Sequence, residues 1–163
     1  MFNNEMKFSH IKNKKINMVD ISTKNITNRT AEATNKIKFN KKTFKKIIEL
    51  GSQKGEIFNT ARCAGILAAK KTYELIPLCH NININTINID FKIDEKNSSI
   101  TVHTIVKSSG KTGVELESMI ASAIASITVY DMCKAIDKSI VINDLRLQYK
   151  SGGKSGEFKN DSF

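Results

Sequence analysis

The spacing of apolar residues changes along the chain and divides it into strands and helices. Alternation over residues 31–40 predicts a strand, and helical spacing over residues 41–50 predicts a helix that ends at Gly51. Apolar positions then recur about every 3.6 residues from residue 55 to residue 75, and the only proline, Pro77, follows. The first half of the chain is therefore predicted to hold one strand and two helices.

Period-two alternation returns in the second half of the chain. It covers residues 82–93, with a slip at Thr86 that indicates a bulge, and residues 100–106. Helical spacing over residues 112–136 and a last alternation over residues 140–150 complete the pattern. This order of elements is that of a ferredoxin-like split βαβ unit. We therefore predict an α+β fold, a ferredoxin-like antiparallel sheet with helices packed on one face.

The ends of the chain differ in composition from its centre. Residues 1–15 are lysine-rich and have no period, which predicts a loose basic N-terminal arm. Residues 16–158 are predicted to form a single α+β domain, and residues 159–163 a C-terminal tail. Because the chain has no run of about 18 apolar residues and no apolar leader segment, we expect a cytoplasmic protein with no membrane partner.

A net charge of +10 is typical of nucleic-acid-binding proteins, because lysines neutralise phosphates. However, only 3 of the 26 basic residues are arginine, and asparagine is also abundant, which indicates coding bias and a solvated lysine surface. An RNA-recognition sheet carries stacked aromatic residues, whereas aromatic residues make up 7% of this chain and its strands are rich in isoleucine. We therefore predict no nucleic-acid partner.

The three cysteines, Cys63, Cys79 and Cys133, are odd in number and far apart, which argues against a disulfide framework and a paired cysteine metal site. Cys79 and His80 are adjacent and lack the usual spacing of zinc ligands. We therefore expect reduced thiols and no bound metal. His80 itself lies at a predicted turn, where a structural role and a binding role are both open.

Two segments partly match phosphate-binding loops, Gly-Lys-Thr at residues 110–112 and Gly-Lys-Ser at residues 153–155. Each lacks the upstream glycine of the complete motif. The first precedes a predicted helix, whose free N-terminal amides attract anions. Phosphate binding and ordinary turn formation are both open for each loop.

Four ionisable residues of the last predicted helix allow two interpretations each. With Thr112 as the helix N-cap, Glu115 is either its partner in a capping box or a functional carboxylate. Glu117 has no capping role and is either functional or solvated. Asp131 and Lys134 share one helical face, so they form either a surface ion pair or, in a shielded cleft, a proton-transfer couple.

Five ordered segments carry a resemblance to a known family. They are MVDIS from residue 18, KGEIFNTARCAGILAAKKTYELIPLCH from residue 54, KTGVELE from residue 111, TVYDMCKA from residue 128 and KSGGKSGEF from residue 150. Together they resemble the cyclic pyranopterin monophosphate synthases of molybdenum-cofactor biosynthesis. The resemblance implies a phosphorus-oxygen lyase that converts (8S)-3′,8-cyclo-7,8-dihydroguanosine 5′-triphosphate to cyclic pyranopterin monophosphate and releases diphosphate, with no cofactor.

The same matching implies roles for individual residues. Asp131 and Lys134 would act as catalytic acid and base, with Lys54 as a third catalytic residue. The implied substrate-binding residues are Leu78, Cys79, His80, Glu115, Leu116, Glu117, Lys150, Lys154 and Arg29, with Arg62 as a further candidate. Two positions depart from the family pattern: Asn81 replaces a proline, and Leu116 replaces a methionine. Neither change removes a titrating group.

The spacing of two of these residues adds a constraint. If Glu117 and Asp131 lie on one unbroken helix, they are about 21 Å apart along its axis. One small substrate does not readily reach both, so we predict a site completed across a subunit interface. The resemblance also implies a homo-oligomer, a hexamer built as a trimer of dimers.

A nucleic-acid-binding module is the strongest competing function, and a nucleotide-sensing regulatory domain is a third possibility. The sensor would use the same basic loops without needing Asp131. Loss of turnover in Asp131→Ala with substrate binding retained would separate the enzyme from the sensor.

Overall fold

Four long strands form most of the sheet in the computed structural model, which describes residues 9–12, 14–50 and 52–160. The side chains of residues 12 and 52–54 lie outside the described part. The strands of the molecule are β1 (Ile11–Lys12), β2 (Lys15–Ile16), β3 (Thr27–Lys38), β4 (Ile84–Asp94), β5 (Ser99–Gly110), β6 (Val141–Ser151) and β7 (Phe158–Lys159). The helices are α1 (Lys41–Glu49), α2 (Ser52–Lys70), α3 (Thr72–Leu75) and α4 (Glu115–Cys133).

The main sheet has the strand order β4-β5-β3-β6-β7, and its neighbouring strands are all antiparallel. Alternation puts Ala31, Ala33 and Ile37 of β3 on the buried face, where α4 packs on β3, β5 and β6. Helix α2 packs beside α4 and on β4. The predicted ferredoxin-like sheet with helices on one face is therefore confirmed.

Helix α4 lies close to both of its neighbours because its inner face is made of small residues. Ala121 and Ala125 are fully buried there. On α2, a Cβ atom added to Gly65 would lie 2.8 Å from the carbonyl oxygen of Ala121, so only glycine allows this crossing. Toward the sheet, buried Asn35 donates to the carbonyl of Ser122 at 3.2 Å and accepts from Ser126 Oγ at 2.6 Å. The middle of α4 is thus held on two sides.

The structure corrects two helix boundaries that the pattern predicted and confirms the bulge. The helix expected over residues 55–75 is broken at Lys71, where the buried Thr72 hydroxyl donates to the carbonyl of Ala69 at 3.0 Å. The slip predicted at Thr86 is confirmed as a register shift between β4 and β5. Helix α4 ends at Cys133 rather than near residue 136.

The predicted capping box at the start of α4 is wrong. The helix begins at Glu115, its N-cap is Val114, and no side chain caps it. Val114 is 1% exposed and packs with Ala31 and Val106, so the chain enters the core before it turns into a helix. Thr112 therefore lies in the preceding loop, and Glu115 is the first helical residue instead of the third.

Two short strand pairs were not predicted. Strands β1 and β2 form a two-stranded hairpin at the end of the predicted N-terminal arm. Strand β7 pairs with β6 at the edge of the main sheet. Each is two residues long, which is too short for alternation to be recognised in the sequence.

Candidate active site

A cavity of about 990 Å³ lies at one end of the sheet, beside the N-terminus of α4. Its walls come from five parts of the chain. They are residues 9–10; residues 19–29, of which we call residues 19–25 the strap; residues 78–82 after α3; residues 111–117, from the end of β5 to the first turn of α4; and residues 150–155 at the end of β6 and after it. The cavity brings together most of the predicted substrate-binding residues: Arg29, Leu78, Cys79, His80, Glu115, Leu116, Glu117, Lys150 and Lys154.

Both glycine-lysine loops line this one cavity. Lys111 lines it from the first loop and Lys154 from the second, and Lys150 is a third lining lysine, with its ammonium group against Ser155 Oγ. The two segments that resembled phosphate loops therefore form a single cationic surface, which suits an anion with several phosphate groups.

Arg29 links the two loops. Its Nε donates to the carbonyl of Gly110 at 3.4 Å, and its guanidinium lies over the backbone of Gly153. Gly153 has a φ of +77°, and a side chain at this position would overlap the guanidinium. The glycine pair at 152–153 thus lets the last loop turn sharply and approach Arg29.

Glu117 is the buried carboxyl of the cavity. Its side chain comes from the first turn of α4 and the residue is 3% exposed. Burial raises the pKa of Glu117 to about 7, and repulsion from Glu115 adds to this shift. Burial, followed by the charge of Glu117, also raises the pKa of the nearby Cys79 thiol. A carboxyl group that titrates near neutral pH can both give and take a proton.

The strap is tied to the cavity by two side chains. His80 Nε2 lies 2.8 Å from the carbonyl oxygen of Val19, and Lys111 Nζ donates to the carbonyl of Ser22 at 2.6 Å. Within the strap, the Ser22 amide donates to Asp20 Oδ1 at 2.8 Å. This bond, and more weakly the charges of Lys111 and His80, lower the pKa of Asp20. The strap is therefore held against the cavity as one of its walls.

The predicted catalytic pair does not line this cavity. Asp131 and Lys134 lie at the other end of α4, 2.5 Å apart, with side chains 62% and 54% exposed. The contact with Asp131 raises the pKa of Lys134, whereas proton transfer near neutral pH needs it lowered. Within one subunit the pair therefore has the geometry of a surface ion pair.

Two predicted residues remain, Lys54 and Arg62. Lys54 lies in α2, but its side chain falls outside the described part of the structure. Arg62 holds α2 to β4: its Nε donates to the carbonyl of Ile89 at 2.9 Å, and its guanidinium carbon lies 5.6 Å from the centre of the Phe91 ring. Arg62 thus has a packing role at this position.

The described residues contain no cluster of histidine, cysteine, aspartate and glutamate that could hold a metal ion. By length and composition α4 could cross a membrane, but its inner face is buried against the sheet, as in the core helix of a folded domain.

Sequence reasoning missed the strap as a cavity wall. Val19 and Ser22 act through their main-chain carbonyls, and every residue has such a group. The segment MVDIS was part of the family resemblance, but it contains no pattern that signals a contact with His80 or Lys111. Only the tertiary structure brings these residues together.

The fold and the cavity define an α+β protein with a cationic pocket for an anionic small molecule and a buried carboxyl group beside it. Comparison with known proteins then specifies the family. Residues 18–153 match the model of the MoaC family. The chain belongs to this family.

Individual relatives agree over nearly their whole lengths. The cyclic pyranopterin monophosphate synthase of Bordetella pertussis is 48% identical over 146 residues, which cover 90% of this chain and 91% of that protein. The synthase of Clostridium botulinum is 47% identical over 158 residues, or 96% and 99% of the two chains. That of Oleidesulfovibrio alaskensis is 44% identical over 153 residues, or 93% and 96%.

Proposed function

We propose that this chain is a cyclic pyranopterin monophosphate synthase, a lyase of molybdenum-cofactor biosynthesis. It converts (8S)-3′,8-cyclo-7,8-dihydroguanosine 5′-triphosphate to cyclic pyranopterin monophosphate and releases diphosphate. The observation that carries the proposal is the convergence of Lys111, Lys150 and Lys154 on one cavity that also contains the buried Glu117. The names and high identity of the relatives support the same reaction.

The cationic loops suit the triphosphate end of this substrate. Lys150 and Lys154 hold it, with Arg29 between the loops, and their charges stabilise the negative charge that develops on the departing diphosphate. The reaction would proceed without a cofactor, and we expect the enzyme in the cytoplasm. Leu78, Cys79, His80 and the segment from Glu115 to Glu117 surround the ring system.

The acid and base, Asp131 and Lys134, act in the cavity of a second subunit. Asp131 lies on α4 with Glu117, about 21 Å from it along the axis, and Lys134 is the C-cap of the same helix. Leu116 and Ile127, which are 40% and 52% exposed, lie on the same outer face of α4 as the pair. A second copy that covers this apolar face would shield Asp131 and Lys134 and bring them to its own cavity. This supports a homo-oligomer, with a hexamer built of dimers as the form that the family resemblance implies.

Anaerobic incubation with the cyclised substrate tests the reaction directly. The expected products are diphosphate and cyclic pyranopterin monophosphate in equal amounts. Asp131→Ala is expected to bind the substrate with little change in affinity and to lose turnover by at least about 100-fold. Substrate binding without turnover in the unmodified protein would instead support a nucleotide sensor.

A further inference from the structure

The contact between His80 and the strap determines which ring nitrogen carries the proton. His80 Nε2 is 2.8 Å from the carbonyl oxygen of Val19. A carbonyl oxygen only accepts hydrogen bonds, so Nε2 must carry a hydrogen in either charge state of the ring. The neutral imidazole is therefore the Nε2–H tautomer, and its Nδ1 has a free lone pair.

The second ring nitrogen has no partner among the described residues, although His80 lines the cavity. When one ring nitrogen of a histidine donates to a main-chain carbonyl, that bond determines the orientation and the tautomer of the ring. The same happens in metal-bound histidines whose second nitrogen donates to a carbonyl or carboxylate. Nδ1 is therefore the atom of His80 that remains for a ligand.

The rest of the strap keeps the Val19 carbonyl in place. Lys111 donates to the Ser22 carbonyl, so the strap is attached to the cavity at Ser22 as well as at Val19. Between these two points, the Ser22 amide donates to Asp20 within the strap. The negative charge of Asp20 lies near both His80 and Lys111. Movement of the strap would therefore disturb the orientation of His80 as well as the wall of the cavity.

We propose that the Val19 carbonyl is a positioning group that holds His80 as the Nε2–H tautomer, so that Nδ1 accepts a hydrogen bond from an N–H or O–H group of the substrate. The identity of the substrate rests on the proposed function. The tautomer of the free protein does not, because it follows from the His80–Val19 contact alone.

Nitrogen-15 NMR of histidine-labelled protein tests the first half of the proposal without a ligand. The chain has only three histidines, so loss of one set of signals in His80→Gln assigns His80. The neutral ring is expected to show the Nε2–H pattern, with a non-protonated Nδ1. An Nδ1–H tautomer in the free protein would overturn the proposal.

Addition of the cyclised substrate to the Asp131→Ala protein tests the second half. The Nδ1 signal is expected to shift as an acceptor while Nε2 keeps its hydrogen. A bound substrate that leaves Nδ1 unchanged would overturn the role of this atom. Failure of the substrate to bind at all would refute the proposed function and this role together, whereas the ligand-free tautomer would still decide the contact with Val19.

Two amide substitutions separate the contact with the strap from the contact with the substrate. In His80→Gln the amide group reaches the position of Nε2 and keeps the bond to Val19, whereas in His80→Asn it replaces Nδ1. We expect His80→Gln to leave hydrogen exchange of the strap amides unchanged and to raise the substrate Kd by up to about tenfold. His80→Asn should accelerate strap exchange and also raise the Kd, because it loses the contact that positions the acceptor. Strap exchange that is faster in His80→Gln than in His80→Asn would contradict the proposal.

Discussion

The two ends of α4 place ionisable side chains in opposite surroundings. Glu117, in the first turn, is 3% exposed, and burial raises its pKa to about 7. Asp131 and Lys134, at the last turn, are more than half exposed, and their contact raises the pKa of Lys134. The first end is part of a formed cavity wall. The second end lacks the shielding that proton transfer requires, and in the described residues nothing on its own subunit supplies it.

The largest expected effect tests whether the two ends function on different subunits. Asp131→Ala and Glu117→Ala should each lower turnover strongly, Asp131→Ala by at least about 100-fold. In mixed dimers one of the two shared sites contains both wild-type residues. Random mixing of the two variants should therefore restore about one quarter of wild-type activity.

The mixed oligomers need to be verified before they are assayed. Two different affinity tags, one on each variant, allow species that contain both chains to be isolated. Mixing two preparations of the same variant serves as the control and should give no recovery. If verified mixed oligomers also remain inactive, each site belongs to a single subunit. The two ends of α4 then do not form shared sites across an interface.

A smaller effect, on stability, tests the burial of Glu117. Its pKa is about 7 in the folded protein against an ordinary value of 4.5, so between these pH values the folded state binds a proton that the unfolded state releases. Stability should thus fall as the pH rises through this window. Glu117→Gln cannot ionise, so it should be more stable than wild type at pH 8 by on the order of 3 kcal/mol and similar to it at pH 4. Urea denaturation at both pH values measures the difference.

The smallest expected effect is on the stability of the exposed pair. Asp131→Asn is isosteric and breaks only a solvent-exposed ion pair, which contributes little. The urea midpoint at pH 8 should match that of wild type, although turnover is lost. A clear loss of stability in the isolated subunit would show that Asp131 is a structural residue, whereas a loss that depends on protein concentration would place it in the subunit interface.

Strands β4 and β5 could be predicted because isoleucine and valine alternate strongly along them. The main helices could be predicted because their apolar residues recur at helical spacing. The first residues of β3, 27–30, could not, since they are all polar and the buried positions that follow them, Ala31 and Ala33, alternate only weakly with glutamate and threonine. Both alanines are fully buried in the sheet face on which α4 packs. The start of α4 was predicted too early because Thr112 and Glu115 match a capping box locally, whereas burial of Val114 determines where the helix begins.

The candidate site could be predicted as a set of residues but not as an arrangement. Each glycine-lysine loop alone was compatible with an ordinary turn, and only the sheet brings Lys111 and Lys154 to one cavity. The exposure of Asp131 could not be predicted either, because its spacing from Lys134 is the same in a surface pair and in a shielded couple. Both properties depend on what packs nearby in three dimensions.

The close crossing at Gly65 means that, in the proposed oligomer, the length of α4 sets the distance between its two functional ends. Because its middle is held between α2 and the sheet, its two ends cannot rotate independently to adjust to a partner. Insertion of a single residue between Glu117 and Asp131 would lengthen the helix by about 1.5 Å and turn one end by about 100° relative to the other. The number of residues in this helix is therefore as strict a requirement as the identity of the residues at its ends, and we expect insertions and deletions to be tolerated in the loops before they are tolerated in α4.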